Sequence, residues 1–301
     1  MRSISKFIAA WTVAALFVNP IFAADKSTSA VNDGTFATEC SKMHLQLSIP
    51  QFIRSVHQTL ASQKDFSPEN PIINETLGPF VRLLIAIHDQ EWASELTKNP
   101  LLSTALEELP GLCGRAEYAM EQFWCRYFLR QKSLTIDSLK EFWYFDNYRD
   151  LVRSEIELLD DDLTSDSHIM KLGSGPLPMT ALLFAIEKPD LRITCVDRDR
   201  TACTLSTALI HRLGLADRIN VIHGNAEKQD FRPNDVVIRA SLLRSPGLYK
   251  ALAQRKIQAL LVRDAEGVFE FCYRPSALPA GYSAHRRTFT CGTINFTHLF
   301  K

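Results

Sequence analysis

The stretch LGSGPLPMT (172–180) joins a short apolar run, HIMK, to a helix-like one, PMTALLFAIE. Two glycines, Gly173 and Gly175, let a backbone turn tightly around Ser174 and approach a ligand closely. Asp197 ends the next apolar run, LRITCVD, 24 positions after Gly173. A carboxylate at that place accepts hydrogen bonds from both hydroxyls of a ribose. Asn225, followed by Ala226, ends a third run, RINVIHGN, where an adenine edge would lie. Its side-chain carbonyl can accept from the adenine amino group. Gly173, Ser174, Gly175, Asp197, Asn225 and Ala226 together describe a nucleoside site.

The prolines narrow the ligand. A dinucleotide needs open amides at the helix N-terminus for its pyrophosphate, and a third glycine for close helix–strand packing. Pro176 and Pro178 have no N–H to give. A cofactor without phosphates loses nothing there, and S-adenosylmethionine is one. The eight histidines and seven cysteines form no cluster with metal-ligand spacing, so no metal site is expected. Lys+Arg and Asp+Glu balance at 34 each, and no basic stripe is present, so nucleic acid is not an expected partner.

These residues need a frame. The 301 residues, 46% hydrophobic and 23% charged, suit one large globular domain or two modest ones. From Ile49 to about Leu159 the apolar spacing is helical, as in PFVRLLIAIHDQEW and RAEYAMEQFWCRYFLR. Prolines 68, 71, 79, 100 and 110 read as breaks between helices. The acidic stretch DDDLTSDSH (160–168) reads as a linker. Beyond it, strands ending in Gly173, Asp197 and Asn225 alternate with helices, one of them stopped by Gly214. The last two runs, YSAHRRTFT and TINFTHLF, read as an antiparallel pair. The expected fold is α/β, a Rossmann-like domain of the S-adenosylmethionine-dependent methyltransferase type (161–301) behind an all-α domain (25–160). Residues 25–42 are expected to be a loose polar leader.

Residues 1–24 have the charged start, apolar run and small-residue end of a secretory signal peptide. The cysteines point elsewhere. Their number is odd and several sit in apolar runs, which suits reduced, buried thiols. S-adenosylmethionine is made in the cytoplasm, so cofactor supply favours catalysis there. The sequence is compatible with N-terminal membrane association and with a homodimer, and fixes neither.

Three stretches, LCGRAEYAMEQFW, FWYFDNYRDLVRSE and LGSGPLP, in this order and spacing, resemble the nicotianamine synthase family from about residue 80 to 275. The likeness rests on Cys113, Ala116, Glu117 and Glu121, then Tyr144, Asn147, Tyr148, Leu151 and Glu155, then the glycine loop and LVRDAEG. It implies transfer of the 3-amino-3-carboxypropyl group of S-adenosylmethionine to an amino-acid amine, with release of methylthioadenosine. The product would be a nicotianamine-like metal chelator, with metal bound by the product and not by the enzyme. Glu117 is the matched candidate base, because an ammonium must lose its proton before it can attack. Tyr144 and Tyr148 are matched to orient the amine or the cofactor's arm. Glu121, one turn from Glu117, and Arg263 are candidates for substrate contact. Two carboxylates in one pocket would raise each other's pKa.

The chain departs from the family pattern after Arg263. Phe269, followed by Glu270, stands where the family has an arginine, which alters how an amino-acid substrate would be held. Asn225 stands where the family has an aspartate. Two other readings fit the same fold: a methyltransferase, and a non-catalytic secreted binding protein. On the bland reading, Glu117 and Glu121 are a wet helix face and FWYF (142–145) is core.

Overall fold

The computed structural model describes residues 34–301, apart from 160–161, 278 and 280–284, with side chains from residue 48 onward. The signal-like segment 1–24 lies outside the described residues.

Four helices come first: α1 (Gly34–Ala61), α2 (Pro71–Ile87), α3 (Ser103–Arg130) and α4 (Phe145–Leu159). Asn70 caps α2, accepting the Ile72 N–H just ahead of Pro71 in the first turn. Thr135 and Ser138 form a reciprocal capping box before α4. Two expectations are corrected here. The leader expected over 25–42 overlaps a helix, since α1 begins at Gly34. Pro79 and Pro110 do not break helices but lie inside α2 and α3. A proline inside a helix costs about 3 kcal/mol. Here Phe80, Leu84, Leu109 and Pro110 itself are buried on the same helices, and that burial outweighs the lost bond.

The second half is a seven-stranded sheet. Its strands are β1 (His168–Leu172), β2 (Arg192–Asp197), β3 (Ile219–His223), β4 (Asp235–Arg239), β5 (Ala259–Asp264), β6 (His285–Phe289) and β7 (Phe296–Phe300). Their order is β3-β2-β1-β4-β5-β7-β6. The first five are parallel; β7 runs antiparallel to β5, and β6 antiparallel to β7, as expected for the last two runs. Helices α5 (Met179–Glu187), α6 (Arg200–Arg212) and α7 (Leu248–Ala253) link the parallel strands. Six of the first seven residues of α5 are apolar and all seven are buried, so this helix is covered all round. β1 is central, in register with β2 on one side and β4 on the other. The sheet order reverses beside it, which places the turns after β1 and β2 at the switch point where such sheets bind ligands.

The first helices are not a separate lobe. Cys125, Phe128 and Val152 of α3 and α4 share a core with Ile169, Ile193, Val236 and Leu261 of the strands. α1, α2 and the front of α3 share another with residues 265–272, which follow β5. A buried ion pair ties the two parts. Arg263 of β5 donates through Nε and Nη2 to the two oxygens of Glu155 on α4, at 2.7 and 2.8 Å. Thr297 Oγ1 of β7 adds a third bond to Glu155 at 3.3 Å. Glu155 is 0% exposed and Arg263 5%. Removing one member of such a pair leaves a bare charge in the core. Glu155→Gln is therefore expected to destabilise the fold by about 3–5 kcal/mol in urea unfolding, while Glu155→Leu combined with Arg263→Met recovers most of it. A loss under about 1 kcal/mol for the single change would contradict this account.

Candidate active site

The glycine turn and Asp197 hold each other. Gly173 and Gly175 have φ of 72° and 69°, a region that strains any residue with a Cβ. Gly173 N–H donates to the Val196 carbonyl at 2.8 Å. Gly175 N–H donates to Asp197 Oδ2 at 2.9 Å, and Asp199 N–H to Asp197 Oδ1 at 2.9 Å. Each oxygen of Asp197 keeps a further lone pair for a ligand hydroxyl. Above Gly175 the space is closed, because a Cβ there would collide with Glu121 Oε2 of α3. The helical part thus lies directly on the loop.

α3 brings its chemistry to the same place. Tyr118 O–H donates to Asp199 Oδ1 at 2.9 Å, and Asp199 also caps α6 by accepting the Ala202 N–H at 2.7 Å. Glu117 Oε2 accepts from Tyr273 O–H at 2.6 Å. Tyr148 O–H of α4 points to Glu121 Oε1 at 3.4 Å, and its ring meets that of Tyr144 edge-on, centroids 5.6 Å apart. One cavity of about 1270 Å³ joins these groups to the loop, and every candidate residue named from the sequence borders it. That volume is ample for a nucleoside and a second small molecule.

Burial dominates the electrostatics. It raises the carboxyl of Glu117 above the ordinary value, against the hydrogen bond from Tyr273 and the charges of Arg263 and Lys171. Glu121 is pushed well above its ordinary value, first by burial and then by the charge of Glu117. The phenols of Tyr144, Tyr148 and Tyr273 are all raised, burial first and the carboxylates next. Lys171 goes the other way, its ammonium brought down to about 7 by burial and then by Arg263. Among the described residues no group of three or more His, Cys, Asp or Glu side chains could hold a metal ion, and no helix is long and apolar enough to cross a membrane.

Several expectations are refined. Asn225 borders the cavity, but its side-chain oxygen accepts the Glu227 N–H at 2.9 Å and caps a short turn, so the atom expected to read adenine already has a partner. Arg263 borders the cavity while its Nε and Nη2 are engaged by Glu155. FWYF divides: Phe142 and Phe145 are buried, Trp143 is exposed, and Tyr144 borders the cavity. Glu117 and Glu121 are not a wet helix face; both turn into the cavity. Phe269 is fully buried in a stack with His88 and Phe289. Five cysteines, among them Cys125, Cys195 and Cys272, are buried free thiols, and Cys291 is free and exposed. Cys40 lies where side chains are not described.

Three groups escaped the sequence reading. Tyr273 sits in FCYRP, inside the stretch compared for its missing arginine, and its tyrosine gave the signal. Lys171 was visible as the one charge in the strand HIMKL, four of whose five residues are buried. Tyr118 had no signal, because its partner Asp199 is 81 residues away.

A glycine turn after β1, a carboxylate ending β2 and this strand order define an S-adenosylmethionine-binding transferase of the methyltransferase-like fold. The sequence model for nicotianamine synthase protein matches residues 44–272. The chain belongs to the nicotianamine synthase family. It is 30% identical over 192 residues to nicotianamine synthase-like 5 protein of Hordeum vulgare, covering 60% of this chain and 68% of that one. It is 27% identical over 175 residues to nicotianamine synthase 2 of Arabidopsis thaliana, covering 54% of each. Crystal structures of MtNAS share the fold: a point variant in complex with S-adenosylmethionine superposes with a TM-score of 0.68 at 18% identity, covering 84% of this chain and 97% of that one. MtNAS in complex with MTA and tNA gives 0.69 at 19%, covering 82% and 95%.

The raised carboxyl of Glu121 has a consequence for stability. In the folded protein it stays protonated at pH values where the unfolded chain has released the proton. Its favourable contribution is full below about 4.5 and is lost as pH rises through the higher folded value. Glu121→Gln cannot titrate. Its Tm is expected to gain on wild type as pH rises from 4.5 towards neutrality. A gap that stays constant over that range would show that Glu121 titrates normally.

Proposed function

We propose that this protein moves the 3-amino-3-carboxypropyl group of S-adenosylmethionine onto an amino-acid amine and releases methylthioadenosine. One observation carries the reading. Glu117, fixed by Tyr273, lies one helical turn from Glu121, which rests on the Gly175 loop. A nucleoside held by that loop and Asp197 extends its sulfonium arm towards a carboxylate.

S-adenosylmethionine supplies a sulfonium that activates its γ-carbon. The protein selects that carbon by placing the amine in line with it, at roughly 3–3.5 Å. The amine nitrogen forms a bond to the γ-carbon, the carbon–sulfur pair returns to sulfur, and the nitrogen's proton passes to Glu117. A carboxylate with a raised pKa is a better proton acceptor near neutral pH than an ordinary one. Tyr144 and Tyr148 wall the path between loop and base. The product is a nicotianamine-like chelator, a metallophore that binds metal away from the enzyme. Catalysis is assigned to the cytoplasm, a reading supported by the cofactor's origin and the free buried thiols.

Purified protein incubated with S-adenosylmethionine and candidate amino acids, read by mass spectrometry, should yield methylthioadenosine and an aminobutanoylated amine. Glu117→Gln should lower turnover by about 10²–10⁴ with cofactor affinity nearly unchanged. Formation of S-adenosylhomocysteine in place of methylthioadenosine would sink the assignment.

A further inference from the structure

Lys171 stands in the middle of β1, paired in register with Cys195 of β2 and Ile238 of β4. Its neighbours Met170 and Leu172 face the core shared with α7. Alternation along a strand therefore turns Lys171 to the other face, with Ile169, under α3 and α4. Only 3% of it is exposed, it borders the large cavity, and its Nζ has no hydrogen-bond partner. An ammonium carries three donors, and a bare one in the interior is among the costliest groups a fold can hold.

The surrounding charges do not satisfy it. Arg263 repels it, and the carboxylate that most offsets that repulsion, Glu155, is spent on Arg263. Glu121 is the weakest of the charges acting on it, and burial favours that group's protonated, uncharged form, while Glu117 is engaged by Tyr273. The cavity floor is thus short of one anion. The cation sits on β1, two residues before Gly173 of the turn, and borders the same cavity as Tyr148 and Glu117.

We propose that Lys171 is a specificity-determining residue whose ammonium receives the carboxylate of the donor's aminocarboxypropyl arm. This rests on the cavity being an S-adenosylmethionine site. A carboxylate seated there forms a short charge-assisted bond and anchors the far end of the arm, which holds the γ-carbon between two fixed points. The phosphate-free nucleoside is recognised by the glycine loop and Asp197, and the amino acid by Lys171.

The test is isothermal titration of wild type, Lys171→Met and Lys171→Arg with S-adenosylmethionine, decarboxylated S-adenosylmethionine and methylthioadenosine. Wild type should prefer the carboxylated donor over the decarboxylated one by about 10- to 100-fold. Lys171→Met should erase that preference and leave methylthioadenosine affinity unchanged. Its ligand-free Tm should rise, because an unpaired buried charge is gone. Lys171→Arg keeps the charge and should keep part of the preference. A preference that persists in Lys171→Met, or an equal loss for methylthioadenosine, overturns the role of Lys171. Failure of wild type to bind methylthioadenosine at all overturns the nucleoside reading, and this inference with it.

Discussion

Glu155 reaches water nowhere, and its charge is held by the fork of Arg263 and the hydroxyl of Thr297. That one cluster joins α4 to β5 and β7. Since α4 also carries Asn147 and Tyr148, with Tyr144 directly before it, the pair fixes where those side chains meet the sheet. Asn147 adds a second tie by donating to the Gly292 carbonyl between β6 and β7, at 2.7 Å. A helix anchored at two points along its length cannot shift relative to the strands without exposing a buried charge. Geometry at the cavity is therefore enforced from beneath, by a cost that no surface contact could impose.

With that frame in place, the site draws on distant parts of the chain. The loop and Asp197 come from β1 and β2, the carboxylates from α3, Tyr148 from α4 and Tyr144 from the turn before it, and a third tyrosine from the segment after β5. Each contributor is held by a different device. Asp197 is held by two backbone amides, Glu117 by a phenol, and Glu121 by contact with a glycine that admits nothing larger. Cofactor loop and carboxylate helix are in contact, so a change in one is felt by the other. The low-dielectric setting raises the carboxyl and phenol pKa values together, which makes an ionised carboxylate there a stronger proton acceptor.

What could be read in the sequence was whatever depends on local pattern. The turn at Gly173–Gly175, the acid ending β2, the parallel run of strands and the antiparallel pair at 285–300 all have short-range signatures, and all stand where the pattern put them. Pro79 and Pro110 misled because local chemistry opposes a helix there while packing on both sides enforces one. Asn225 borders the cavity as expected, but its capping of the next turn could not be read, since it depends on a backbone amide two residues on. Arg263 was read as a candidate for substrate contact, and only the fold reveals its tie to Glu155, 108 residues before it. Tyr273 and Lys171 acquire meaning only when β1, α3 and the segment after β5 come together. Each was a single letter of unremarked type until its neighbours were known.

The bond from Tyr273 to Glu117 makes the two oxygens of one carboxyl group unequal. Oε2 accepts from a phenol at 2.6 Å, which orients the group at the edge of the cavity. A symmetric, freely turning carboxylate would accept from many directions. This one is held in one orientation, which narrows the directions from which an amine can deliver its proton. That orientation belongs to the pocket and not to the ligand. Two acceptors of different length would present the same nitrogen lone pair to the same carbon, and would differ only in what trails behind it in the remaining volume.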